Sequence, residues 1–263
     1  FSQTQIDEII NEIKDKALKH ETELAKRANE ETGFGRWEDK VLKNRLAAEG
    51  VYESIKDMKT VGIINECSEK EIIEIGVPMG IIAALIPSTN PTSTTIFKIL
   101  ISLKAGNAVI ISPHPNAKNC IIKTAEYLIK AAERRGAPKG LIGVIKTPTL
   151  QATNELMKHK LTSLILATGG EGMVHAAYSS GTPAIGVGPG NGPSFIERSA
   201  NVKKAVTRIL ASKTFDNGVI CASEQSVVTE ASIKQSVVEE FKKQGAYFLN
   251  AEEREKVGGI LMR

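Results

Sequence analysis

Cysteine is scarce in this chain. Three occur in 263 residues, at Cys67, Cys120 and Cys221. They show no metal-ligand spacing, and their odd number argues against a disulfide framework. A reducing, cytoplasmic setting is expected, with a bacterial microcompartment as a special case of it. The four histidines, His20, His114, His159 and His175, make no HxxxH or HExxH pattern, so no metal site is expected. Long apolar runs are missing too. The longest candidate, 80–86, stops at Pro87, far short of the roughly 18 residues of a membrane span. Charge of one sign does not dominate. The net charge is +4, and Lys14, Lys16 and Lys19 are interleaved with Glu12, Asp15 and Glu21, which speaks against a nucleic-acid partner. The opening lacks the basic and apolar regions of a secretory signal. It begins with Phe1 rather than Met, which reads as a processed, trimmed or incomplete start.

What is present is an ordinary globular balance, 41% hydrophobic and 24% charged, long enough for one large domain or two smaller ones. Ile6, Ile9, Ile10, Ile13 and Ala17 recur at helical spacing and predict an amphipathic opening helix. Further helix is expected over 23–28 and 39–58, broken by Gly33 and Gly35. Strand texture begins near Ile72. Apolar runs at 81–86, 108–112, 141–145, 163–167 and 184–187 then alternate with helical or polar stretches, the clearest helices being 93–104 and 116–135. Strands without polar alternation, joined by helix-length crossovers, predict an α/β fold with a Rossmann-like parallel sheet and helices on both faces.

In such sheets ligands bind beyond the carboxyl ends of the strands. Small residues gather there: Pro87-Ser88-Thr89-Asn90, Ser112-Pro113-His114-Pro115, Thr168-Gly169-Gly170 and Gly188-Pro189-Gly190. Any one of these reads best as a tight turn; four together favour a nucleotide site. The run Gly186, Gly188, Gly190, Gly192 does not fit GxGxxG, and no Walker pattern occurs. The most informative stretch is 216–225. There Cys221 follows a glycine-containing turn and precedes a β-rich run. A thiol so placed is either an exposed nucleophile or a buried structural cysteine, the commoner fate of a lone one.

These segments carry a resemblance. Residues 87–94, 112–115, 167–170, 186–191 and 215–226, in this order, resemble the aldehyde dehydrogenase superfamily and within it the CoA-acylating branch. The wording is most similar to the aldehyde dehydrogenase half of bifunctional aldehyde-alcohol dehydrogenases. The resemblance implies Cys221 as the nucleophile and Asn90 as the amide that helps hold the oxyanion of the thiohemiacetal. It implies that Pro87, Ser88, Thr89, Ser112, Pro113, His114, Thr168, Gly169, Gly170 and Gly188 fall on segments lining a nicotinamide cofactor. His114 has a second reading, as a plain polar loop residue. NAD rests on the resemblance alone, since no acidic residue follows Ser112-Pro113 to select a 2′-hydroxyl. A small aldehyde and coenzyme A are the implied substrates, and a homo-oligomer the implied state of the full-length protein.

The departures matter as well. Acid-forming relatives carry Glu-Leu-Gly-Gly where this chain has 186–190, and neither Gly186 nor Val187 supplies that carboxylate. A CoA thiol is then the acceptor that the resemblance implies. Family members run on further after the cysteine, so the C-terminal part reads as missing. The domain expectation is a helical segment plus dinucleotide-binding domain over 1–198, and the start of a catalytic domain over 199–263. The rival readings are a hydrolytic aldehyde dehydrogenase with a relocated base, an inactive interaction segment of a larger enzyme, and a plain nucleotide-binding module.

Overall fold

A computed structural model describes residues 1–261. The chain divides into two compact units, Phe1–Pro189 and Gly190–Arg263. The first opens with three helices, α1 (Gln3–Lys19), α2 (Glu21–Thr32) and α3 (Trp37–Arg45). Ser2 and Gln5 cap α1 reciprocally, and the five apolar residues named above form its buried face. Gly33 ends α2 in the left-handed conformation at φ 69°. The helix expected over 39–58 runs over 37–55, with a π-turn inside it. After α3 comes a π-turn at Leu46–Gly50, then α4 (Val51–Ile55). The π-turn adds a residue to the helical ladder while keeping Ala47 and Ala48 buried.

The strand texture begins earlier than expected, at β1 (Gly62–Cys67), which pairs antiparallel with β2 (Ile72–Gly76). Ile63, Ile72, Ile73 and Ile75 stand exposed on this hairpin.

The central sheet follows the predicted apolar runs. Its strands are β3 (Ile81–Ile86), β4 (Ala108–Pro113), β5 (Ile142–Val144), β6 (Thr162–Thr168) and β7 (Ala184–Val187), in the order β5-β4-β3-β6-β7. All four pairings are parallel. The connecting helices are α5 (Pro91–Lys104), α6 (Lys118–Arg134), α7 (Leu150–Lys158) and α8 (Glu171–Tyr178). β3 shows why its run has no polar alternation. Ile82, Ala84 and Ile86 join the core shared with α1, α2, α5 and α6, whereas Ala83 and Leu85 join a second core with Met157, Ile165, Ala167 and Ala177. Successive side chains point to opposite faces, and both faces are covered.

The second unit holds β8 (Gly192–Ile196) parallel to β9 (Glu224–Thr229), with α9 (Val202–Thr214), α10 (Lys234–Lys243) and α11 (Ala251–Leu261). Its small core is Ile196, Val206, Ile209 and Val237.

Candidate active site

The strand order reverses at β3. β4 and β5 extend to one side of it, β6 and β7 to the other. The crevice at such a switch point, beyond the carboxyl ends of the strands, is where parallel sheets take ligands. Pro87, Ser88, Thr89 and Asn90 follow β3; Ser112 and Pro113 end β4 and His114 follows; Thr168 ends β6, with Gly169 and Gly170 next; Gly188 follows β7. The fold thus brings all ten candidate cofactor residues, and Asn90, to one edge of one sheet.

Their side chains differ in what they offer. Ser112 is buried, and its hydroxyl lies 3.0 Å from that of Thr153. What it brings to the edge is backbone. His114 is exposed, but its Nδ1 accepts from the Asn116 amide at 3.1 Å. Desolvation lowers its pKa from the ordinary 6.5, which weakens it as a cationic partner for phosphate. Gly170 precedes α8 without a side-chain cap, and a Cβ there would meet open space. The first-turn amides of α8 are therefore free of a capping side chain, as an incoming anion requires.

Sequence reasoning missed Lys98. It lies in α5, is 2% exposed, and its Nζ donates at 2.7 Å to both Leu85 O and Leu166 O. Those carbonyls belong to β3 and β6, the two strands flanking the switch point. Burial lowers its pKa from 10.5 to about 7. The signal was present: a lone lysine among Ile96, Ile99 and Leu100.

Gly186 explains the absent carboxylate. A Cβ there would come within 2.6 Å of Val174 Cγ1 and 2.8 Å of Tyr178 Cε2, and the Gly186 amide donates to the Tyr178 hydroxyl at 2.9 Å. A side chain at this point of β7 would have to displace Val174 and Tyr178 of α8.

In the second unit, Cys221 is exposed, which excludes a buried structural role. It sits in the turn leading into β9. Asp216, Asn217 and Gly218 precede it with φ of 50°, 54° and 74°. Asp and Asn are the non-glycine residues that best tolerate this region. The turn is then pinned locally. Ser223 Oγ donates to Ile220 O at 2.9 Å, while Gln225 accepts from Gly192 N at 2.6 Å and donates to Cys221 O at 3.4 Å. A Cβ on Gly190 would fall onto the Cys221 carbonyl oxygen. Glu224, at the head of β9, takes a hydrogen bond from the Ser212 hydroxyl that holds its carboxyl below the usual range.

A family model described as the aldehyde dehydrogenase family matches residues 1–254. The bifunctional aldehyde-alcohol dehydrogenase AdhE of Escherichia coli (strain K12) is 50% identical over 263 residues, covering 100% of this chain and 30% of that protein. The crystal structure of an acetylating aldehyde dehydrogenase from Geobacillus thermoglucosidasius superposes with a TM-score of 0.95 at 58% identity, over 100% of this chain and 58% of that one. A propionaldehyde dehydrogenase from Rhodopseudomonas palustris, solved with bound CoA and an acylated cysteine, gives a TM-score of 0.83 at 31% identity, over 97% of this chain and 58% of that one. The chain thus spans 30% of the curated relative and 58% of each solved one.

Proposed function

The chain belongs to the aldehyde dehydrogenase family, and we propose that it carries the cofactor edge and the nucleophile of a CoA-acylating aldehyde dehydrogenase. The observation that carries this reading is the exposed thiol of Cys221, held at the head of a strand by its own turn. The acylated cysteine and bound CoA of the Rhodopseudomonas palustris relative support it.

In the reaction, the Cys221 thiolate adds to the carbonyl carbon of a short aldehyde such as acetaldehyde. The Asn90 amide serves as a donor to the oxyanion so formed, where fixed donors contribute most. The backbone of 87–89, 112–114 and 168–170 and the uncapped first turn of α8 would hold NAD along the strand ends, where it would supply the hydride acceptor. The acyl group is left on Cys221 as a thioester. With Gly186 packed beneath Tyr178 and no carboxylate at Val187, no base stands ready there to activate water. The acyl group passes to the CoA thiol instead, and since the product is again a thioester the reaction runs in either direction. The apolar hairpin of β1 and β2 supports a homo-oligomer for the full-length protein, and the free cysteines a cytoplasmic setting.

The test is NADH formation from acetaldehyde with and without CoA, for the natural full-length polypeptide carrying this sequence and for its Cys221→Ala variant. CoA-dependent turnover is expected, lost by at least roughly three orders of magnitude in the variant. Turnover indifferent to CoA would establish the hydrolytic rival; turnover that survives in Cys221→Ala would remove the nucleophile.

A further inference from the structure

Asn90 occupies the N-cap position of α5. Asparagine is among the preferred residues there because its side-chain oxygen accepts from an amide of the first turn. Here the side chain makes no such bond. Its Oδ1 instead accepts from Lys43 Nζ at 2.7 Å, from a residue 47 positions earlier in the chain. This is one of three contacts of the same origin. Lys40 Nζ donates to Thr89 O at 3.1 Å, and Thr92 Oγ1 donates to Asn44 Oδ1 at 2.8 Å. Lys40, Lys43 and Asn44 lie at i, i+3 and i+4, on one face of α3. They grip residues 89, 90 and 92 in turn. Lys40 and Asn44 are buried at 2% and 1% exposure, and Asn44 is itself tied to Glu21 O at 2.9 Å. The loop after β3 is therefore held from outside by a helix, not by its own turn.

The chemistry of the central contact is directional. An ammonium only donates, so Lys43 binds the oxygen of the Asn90 amide and turns its nitrogen away. That nitrogen carries two hydrogens; one is donated to Thr89 Oγ1 at 3.3 Å. Donor capacity is left over. A cation on the amide oxygen also polarises the group and strengthens its N–H as a donor. Capping α5 with the same side chain would have spent the oxygen on a neutral amide.

We propose that Lys43 is a positioning residue for the acyl-forming step. It fixes the Asn90 amide by its oxygen and raises the strength of its nitrogen as a donor to an oxyanion. Lys40 and Asn44 hold the backbone that carries Asn90. The inference rests on the oxyanion role assigned to Asn90 above.

The experiment measures kcat and KM for acetaldehyde, with NAD and CoA, in the natural full-length polypeptide bearing Lys43→Met, Lys43→Arg, Asn90→Ala, or Lys43→Met with Asn90→Ala. Thermal melting of each variant reports folding; should Lys43→Met fail to fold, Lys43→Gln replaces it in the same cycle. The expected result is a kcat lowered by about 10-fold in Lys43→Met, a fraction of the loss on removing an oxyanion donor outright. KM for the aldehyde stays within about two-fold and Lys43→Arg restores most of the rate. On Asn90→Ala, Lys43→Met adds no further loss. An unchanged kcat in Lys43→Met, or losses that multiply in the double variant, overturns the inference while leaving Asn90 in its role. An unchanged kcat in Asn90→Ala removes the oxyanion reading first, and this inference with it.

Discussion

Two stretches of this chain are built differently. The loop after β3 is held by partners distant in sequence: Lys40 and Lys43 reach it from α3, and Lys98 ties the strand end beneath it to that of β6. The turn bearing Cys221 is held largely by near neighbours, by Ser223, Gln225 and a run of left-handed residues, with the Gly192 amide as a distant partner, and its thiol is exposed. The difference fits the role proposed for each. A hydrogen-bond donor works by standing still where charge develops, and a side chain kept still needs fixed partners. A thiolate that must take an acyl group from one substrate and give it to another needs access from solvent. Burial carries a further cost for a thiol, as at Cys120, where it pushes the pKa well above its ordinary value of 9.0.

The comparison is sharpened most by Lys98, because the first region depends on a buried ammonium. Its pKa is about 7 folded against 10.5 unexposed to burial. Between those values the unfolded chain holds the proton and the folded one does not, so stability rises with pH. The contribution is fully present above pH 10.5 and lost as pH falls through 7. At about 1.4 kcal/mol per pKa unit, it amounts to a few kcal/mol. Lys98→Met should abolish this slope. Urea unfolding of both proteins at pH 7 and pH 9.5 should show the wild type gaining on the variant as pH rises. A difference that is flat with pH would mean that the lysine keeps its proton on folding.

The second region is challenged by Gly190→Ala. The new methyl would fall onto the Cys221 carbonyl oxygen, so the turn or the start of β8 must shift. A cost of about 1–3 kcal/mol is expected. Iodoacetamide labelling of Cys221 reports the consequence, since the thiol is exposed in that turn. A changed labelling rate is expected; an unchanged one would show that the Cys221 turn does not depend on this close approach.

Most of the central sheet was legible in the sequence for a simple reason. β3 is buried on both faces, and its run 81–86 has no polar interruption to blur its ends. β4, β6 and β7 likewise begin and end within two residues of their apolar runs. The β1 strand was missed because Ile63 and Ile64 are exposed on a two-stranded hairpin and show no periodic pattern. The candidate residues of the first unit were legible as a set, because strand ends in a parallel sheet share an edge by construction. The grip on Asn90 was not. Lys40 and Lys43 lie in WEDKVLKNR, which in sequence reads as a solvated helix face. Only the packing of α3 beside the loop after β3 shows where their ammonium groups go. A charged residue in a polar helix carries no local sign of its partner, whereas Lys98, alone among isoleucines and leucines, did.

The smallest test concerns Ser112, which the resemblance places among the cofactor residues and the fold turns inward. Thr153 Oγ1 donates to Thr149 O at 3.1 Å, so the hydrogen between the two hydroxyls comes from Ser112. Ser112→Ala removes that one bond and leaves Thr153 its own, which limits the loss to about 0.5–1 kcal/mol. If Ser112 contributes only backbone to the strand end, KM for NAD in the natural full-length polypeptide stays within about two-fold. A KM raised by about 10-fold, or roughly 1.4 kcal/mol, would show that the hydroxyl leaves Thr153 for the cofactor. The first region would then be partly mobile, and the contrast between its fixed donors and the exposed Cys221 turn would narrow to Asn90 and the lysines that hold it.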